Sequence, residues 1–299
     1  MATAKEMKWA ITGGSGQLAQ SLSESLAEKG TNYVTWDHNQ IDITDSKSLE
    51  TICDFQPDVL VNCAAWTNVD GAEDLFEKAL KVNCDGAKNV AIVAKSLNIP
   101  LVHISTDYVF AGERSHPWLV TDSTEPTTKY GISKLLGEQK IQDIWPEKSY
   151  ILRTAWLYGP HGRNFAKTIL KKLLSSSALI EVVNDQMGQP TTTPDLAEHI
   201  QRIVYAKIPS GTYHATNSGQ ATWWEFAAEL ALLSKSDITR VVPVSSNQIQ
   251  TKANRPKYSV LDHSLWDKVG VDPMRSWRDA LEDVFPGIQK NVTRELTND

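Results

Sequence analysis

WAITGGSGQLAQSLSESLAE, residues 9–28, runs from four apolar or β-branched residues through three glycines in four positions into apolar residues at helical spacing. This is the pattern of a strand, a tight turn and a helix. Gly13, Gly16 and Ala19 fit G-x-x-G-x-x-[GA], and Gln17 with Leu18 begins the helix. Small residues at those positions let the chain turn sharply, bring backbone N–H groups against a pyrophosphate and seat the helix close to the strand. The helix N-terminus adds a partial positive charge that favours the anion.

Outward from this turn the same rhythm repeats. Short apolar runs at Tyr33–Trp36, Val59–Val61, Leu101–Ile104 and Tyr150–Leu152 alternate with helical patterns such as 87–97. Strand and helix in alternation imply βαβ units and a parallel sheet. The expected fold is α/β, a Rossmann-like doubly wound parallel sheet. After residue 155 the rhythm loosens into a helix near 165–174, a strand at 180–183, a Pro-containing loop through Gln189-Pro190 and a Pro-punctuated tail. Residues 1–155 are therefore expected to form a dinucleotide-binding domain. Residues 156–299 are expected to form mainly a smaller, mixed α/β substrate-binding lobe, with some segments returning to the sheet.

Thirty basic against thirty-six acidic residues leave a net charge of −6 and no basic cluster, so nucleic acid is not an expected partner. No apolar run is long enough to span a bilayer and no secretory leader is visible at the start, so a cytoplasmic protein is expected. Cys53, Cys63 and Cys84 are widely spaced, without a C-x-x-C pair or nearby histidines, and the expectation is reduced thiols and no metal.

Asp37 ends the second strand, followed by His38 and Asn39 and no arginine. A carboxylate there accepts hydrogen bonds from adenosine ribose hydroxyls, which favours NAD over a 2′-phosphorylated dinucleotide. Further on, Tyr130 and Lys134 stand four residues apart on one helical face. An ammonium beside a phenol favours the phenolate and makes the tyrosine a usable proton donor and acceptor. Thr106 closes the fourth strand, where a hydroxyl would face the same crevice as the glycine turn.

TGGSGQLA (12–19), PDVLVNCAAWTNVDGAE (57–73), KVN (81–83), STDYVF (105–110), YGISKLLGE (130–138), RTAWLYG (153–159), NFAKTIL (164–170), NDQMGQPT (184–191) and RPKYSVLD (255–262) fall in order over nearly the whole chain. In these pieces the sequence resembles the extended short-chain dehydrogenase/reductases and, within them, the dTDP-4-dehydrorhamnose reductases, which complete dTDP-L-rhamnose synthesis for cell-wall polysaccharide. The resemblance implies reduction of a C4 ketone with NADPH or NADH, Tyr130 giving the proton, Lys134 tuning it and holding the nicotinamide ribose, and Thr106 orienting the carbonyl. It implies that Gly13, Gly16, Gln17 and Leu18 wrap the pyrophosphate, that Asp42 and Ile43 lie near the adenine, and that Ala64 and Ala65 flank the dinucleotide. Thr67, Val69, Asp107 and Trp156 would line the sugar site, and Asn164, Lys167 and Arg255 would face the nucleotide diphosphate.

Two details narrow the reading. Dehydratases of this superfamily carry an Asp-Glu pair after the threonine, whereas here Asp107 is followed by Tyr108. The family tail R-P-x-x-S-R-L has Val260 in place of its second arginine. The alternatives are a reductase of another nucleotide-linked 4-keto-deoxysugar, or a regulatory subunit similar to the β subunit of methionine adenosyltransferase. A monomer and a homodimer are both compatible with the resemblance.

Overall fold

The computed structural model describes residues 7–298. Trp9–Thr12 (β1) is buried at every position, as a strand covered on both faces must be, and pairs in parallel with Tyr33–Trp36 (β2) on one side and Val59–Asn62 (β3) on the other. Leu101–Thr106 (β4) and Ser149–Thr154 (β5) continue the sheet beyond β3, and the late strand Gly211–His214 adds itself to β5. The six parallel strands run in the order Gly211–His214, β5, β4, β3, β1, β2. The chain therefore leaves β1 in one direction for β2 and returns past it to β3, which opens a crevice beyond the carboxyl ends of β1 and β3.

Helices cover both faces. Gln17–Glu28 (α1) packs beside the later helix Thr193–Ala206, and Leu18, Leu22, Leu26, Leu196 and Ile200 meet Trp9, Ile11 and Val61 there. Past the short helices Glu50–Phe55 (α2), Val69–Asp74 (α3) and Phe76–Leu80 (α4), Ala87–Ser96 (α5) and Lys129–Ile144 (α6) close the opposite face over Ala10, Leu60 and Leu101. A single π turn, Lys81–Gly86, leads into α5, and its Asn83 accepts from the Trp66 nitrogen while donating to the Trp66 carbonyl and to Ser133 of α6.

A second core lies off the sheet. Phe165–Ser175 (α7), the helix Trp223–Leu233 and the terminal helix Trp277–Asn298 bury Ala166, Ile169, Phe226, Leu230, Trp277 and Leu281 together. Two-stranded pieces knit this region, with Ile180–Val183 on Val241–Val244 and Leu157–Tyr158 on Thr191–Thr192. The last part of the segment read as a Pro-punctuated tail is a 22-residue helix that carries Pro286 inside it. An interior proline costs a helix about 3 kcal/mol. Trp277, Leu281, Phe285, Ile288 and Val292 lie buried at helical spacing along it, and at roughly 1.5–3 kcal/mol each their burial outweighs the break.

Four histidines are enclosed by this packing. Burial holds His199 and His214 down at about 3 and His263 at about 4, and places His103 well below the ordinary 6.5. In the unfolded chain all four titrate near 6.5, so between that value and their folded values the unfolded state binds more protons and stability rises with pH. Burial pushes Asp107 the other way, up to about 6, and opposes them with one proton. Urea unfolding should show stability near its maximum above pH 6.5 and falling below it, with a net slope near pH 5 of roughly 4 kcal/mol per pH unit. His199→Leu should flatten that slope by about one proton, because neither ring nitrogen of His199 has a hydrogen-bond partner; a flat profile from pH 7 to 5 would contradict this.

Candidate active site

Gly13 turns the chain out of β1 at φ +76°, and a Cβ there would lie 2.6 Å from the Ala64 nitrogen. Only glycine allows the two strand ends to come this close. Gly14 N–H donates to the Trp36 carbonyl at 2.7 Å and Gly16 N–H to the Gly13 carbonyl at 2.8 Å, so the loop is tied to the end of β2 and closed on itself. Gly16 caps α1 without a side-chain hydrogen bond, which leaves first-turn N–H groups of a twelve-residue helix facing the crevice. A cleft of about 640 Å³ opens beside it. An uncapped helix N-terminus behind a glycine turn fits the pyrophosphate of a dinucleotide.

The far wall carries the hydroxyls. Thr106, the last residue of β4, donates to Asp107 Oδ1 at 2.9 Å and accepts from Tyr108 N–H at 3.2 Å. Tyr130 sits in the first turn of α6, which Thr128 caps by accepting from Gly131 N–H at 3.0 Å. A Cβ on Gly131 would come within 2.2 Å of the Tyr108 carbonyl, and one on Gly137 within 2.1 Å of the Asn83 carbonyl. These two glycines let α6 press against the turn after β4 and against the π turn, and Tyr130 is delivered beside Thr106 as a result. The Tyr108 and Tyr130 rings meet edge to face at 5.6 Å.

Burial raises the Tyr130 phenol above its usual value, and the hydrogen bond with Thr106 offsets part of this. Lys134 is also buried, and that desolvation lowers it to about 8 against the pull of Glu138 and Cys63. Its Nζ donates to the Ile104 carbonyl at 2.7 Å and lies 3.4 Å from His103 Nε2. The expectation that Lys134 draws the phenol down meets a different balance here: desolvation is the largest influence on both groups, and the Lys134 amino group donates to the Ile104 carbonyl. The phenol keeps its proton at neutral pH, which suits a donor. Asp107 beside it is pushed up to about 6 by burial, with hydrogen bonds from Ser259 and Thr106 pulling back, and its Oδ2 has no partner.

The cleft brings together most of the residues singled out from the sequence. Gly13, Gly16, Gln17, Leu18, Asp42, Ile43, Ala64 and Ala65 line one part, and Thr67, Val69, Thr106, Asp107, Tyr130, Lys134 and Trp156 the other. Asp37 is not among its lining residues: its carboxylate accepts from the backbone of Asn39 and Gln40, and His38 lines the cleft instead. Both of these hydrogen bonds fall on Oδ1, so one carboxylate oxygen of Asp37 serves a turn at the strand end.

Trp156 adopts φ +48° and stacks on Trp223 with ring centroids 3.5 Å apart. Behind this pair lies a second cavity of about 1020 Å³, lined by Phe165, Lys172, Trp223 and Arg255 among others. Arg255 bridges the two spaces, pairing with Asp70 at 2.6 Å and donating to the Tyr108 hydroxyl at 3.3 Å. Asn164 and Lys167 line neither. Asn164 caps α7 and contacts Gln17 at 3.4 Å, while Lys167 pairs with Glu295 at 2.6 Å. Val260 is buried and its carbonyl accepts from Trp118 N–H, so the position of the missing arginine belongs to the interior. Among the described residues no group of three or more His, Cys, Asp or Glu is placed to hold a metal.

Sequence reasoning passed over Asn62, His103 and Trp223. Asn62 and His103 carried a usable signal, a polar residue near the carboxyl end of an otherwise apolar buried run. Trp223 carried none, because an aromatic at a helix start reads as core.

With this geometry described, comparison with known proteins is direct. The family described as RmlD substrate binding domain matches residues 7–289. A dTDP-4-dehydrorhamnose reductase from Streptomyces griseus is 39% identical over 94% of each chain. A dTDP-4-keto-6-deoxy-D-glucose reductase from Streptomyces niveus is 40% identical over 93% of this chain and 96% of that one. The crystal structure of a Bacillus anthracis dTDP-4-dehydrorhamnose reductase in complex with NADP superposes with a TM-score of 0.90 at 36% identity, over 94% of this chain and 99% of that one. Sequence and fold agree, and the chain belongs to the dTDP-4-dehydrorhamnose reductase family defined by the RmlD substrate binding domain.

Proposed function

We propose that this protein is an NAD(P)H-dependent reductase of the C4 ketone of dTDP-4-dehydro-β-L-rhamnose, yielding dTDP-β-L-rhamnose. One observation carries the chemistry: a buried, protonated phenol, Tyr130, stands beside the Thr106 hydroxyl across the cleft from the glycine turn. A reduced nicotinamide, when bound, supplies the hydride. Thr106 hydrogen-bonds the ketone oxygen, and Tyr130 delivers its proton to that oxygen as the carbon is reduced. Gly13, Gly16, Gln17 and Leu18 hold the pyrophosphate at the start of α1, with Asp42, Ile43, Ala64 and Ala65 along the nucleoside. Lys134 serves the nicotinamide ribose.

Thr67, Val69, Asp107 and Trp156 surround the sugar in this reading. Arg255 binds the diphosphate of the nucleotide from the second cavity. Asn164 and Lys167 support that region through the helix cap and the ion pair that they form. Asp37 accepts its two turn hydrogen bonds on Oδ1 alone, and the relative solved with NADP supports use of NADPH beside NADH. The similarity to the S. niveus enzyme favours a dTDP-linked 4-keto-6-deoxyglucose as the second substrate to try. Nucleotide sugars and reduced dinucleotides are cytoplasmic metabolites, and we place the enzyme there as a monomer or homodimer.

Mixing the protein with NADPH or NADH and dTDP-4-dehydro-β-L-rhamnose, generated by the enzymes that precede it, should consume the reduced dinucleotide. Tyr130→Phe should lower turnover roughly 10²–10⁴-fold while dinucleotide binding by calorimetry stays close to wild type; undiminished turnover would remove Tyr130 from the mechanism. Arg255→Ala should raise KM for the nucleotide sugar about tenfold and leave that for the dinucleotide nearly unchanged. Its pair with Asp70 is partly exposed, so stability should change by less than about 1 kcal/mol. Equal effects on both KM values would assign Arg255 to the fold instead.

A further inference from the structure

The Asn62 side chain fixes the tautomer of its neighbour. Asn62 Oδ1 accepts from the Thr12 hydroxyl at 2.7 Å and from the Ala64 backbone N–H at 3.2 Å. A backbone N–H can only donate, so the oxygen of the amide is committed there and Nδ2 is the atom that faces His103 Nδ1, at 3.0 Å. Nδ2 donates, so Nδ1 must offer a lone pair. His103 is buried and neutral, and a neutral imidazole with a bare Nδ1 carries its hydrogen on Nε2.

That Nε2–H points at Lys134 Nζ, 3.4 Å away. An ammonium has three N–H groups and no lone pair, so it would meet the imidazole donor to donor. A neutral amine accepts from Nε2–H and still donates to the Ile104 carbonyl at 2.7 Å. The other titratable neighbours do not reverse this. Cys63 lies at the end of β3 with its thiol pushed up to about 12 by burial, and so remains neutral. Glu138, on α6, is neutralised by Arg153 at 2.7 Å and also accepts from Ser105.

We infer that His103 is a positioning residue, locked by Asn62 as an Nε2–H donor that disfavours the ammonium form of Lys134. The consequence for the site is specific: an ammonium disfavoured in this way does less to favour phenolate, and Tyr130 keeps its proton. Burial of Lys134 acts in the same direction, toward about 8.

The test uses the full chain labelled with ¹⁵N in histidine rings and ¹³C at lysine Cε, with the Lys134 signal assigned as the one lost in Lys134→Met. In the wild type, His103 should show a protonated Nε2 and a bare Nδ1, and Lys134 should titrate at or below about 8. Asn62→Asp puts an acceptor where Nδ2 stood, so His103 should move its hydrogen to Nδ1, and the Lys134 midpoint should rise by at least about one unit, a tenfold change in its protonation equilibrium. His103→Phe, which removes the donor without adding charge, should raise it in the same sense. An Nδ1-protonated His103 in the wild type overturns the inference without any variant. So does a Lys134 midpoint that is the same in the wild type and in His103→Phe.

Discussion

The contact on which the architecture turns is between two backbones. At Gly13 the end of β1 lies so close to Ala64, just after β3, that a single methyl group could not be accommodated without shifting the chain. Because the chain passes from β1 outward to β2 and then back to β3, this is also the point at which the sheet changes direction and a crevice must form. The uncapped N-terminus of α1 opens into that crevice. One missing Cβ thus links strand order, helix placement and anion affinity.

The opposite wall depends on a second set of close approaches. Gly131 and Gly137 bring α6 against the turn after β4 and against the π turn, and this carries Tyr130 and Lys134 into a setting with little access to water. There desolvation exceeds the nearby charges in its effect on the phenol, the amine and the Asp107 carboxyl, and it drives each toward its neutral form. A neutral, proton-bearing phenol next to a hydroxyl is what reduction of a carbonyl requires. The polar chain Thr12–Asn62–His103–Lys134 runs beneath it across three strands and decides which hydrogens point where.

The parts of the fold that were legible were those in which local pattern and burial coincide. Strands covered on both faces read as apolar runs, and a glycine turn between strand and helix leaves few options for its use. Thr106, Tyr130 and Lys134 could be found by position and spacing, and the cleft brings them together. The direction of the Lys134 interaction could not be read, because it depends on how fully packing removes water. Asp37 could be read two ways, because a short acid at a strand end serves a local turn as readily as a ligand, and its Oδ1 accepts from the backbone of Asn39 and Gln40. Arg255 was visible as a cation, but its pairing with Asp70, 185 residues away in sequence, was not. Pro286 hid the terminal helix because its cost is local while the burial that offsets it comes from the second core.

In the proposed reaction a reduced nicotinamide bound in this cleft gives hydride to C4 of a dTDP-linked 4-keto sugar while the protein supplies the proton. Reduced dinucleotide labelled with deuterium at the nicotinamide C4, on each face in turn, followed by mass and proton spectra of the sugar, tests it most directly. One deuterium is expected at the sugar C4 from one of the two faces and none from the other, with the proton on oxygen drawn from solvent. Dinucleotide oxidation that leaves the sugar unlabelled, or label at any other carbon, would contradict it.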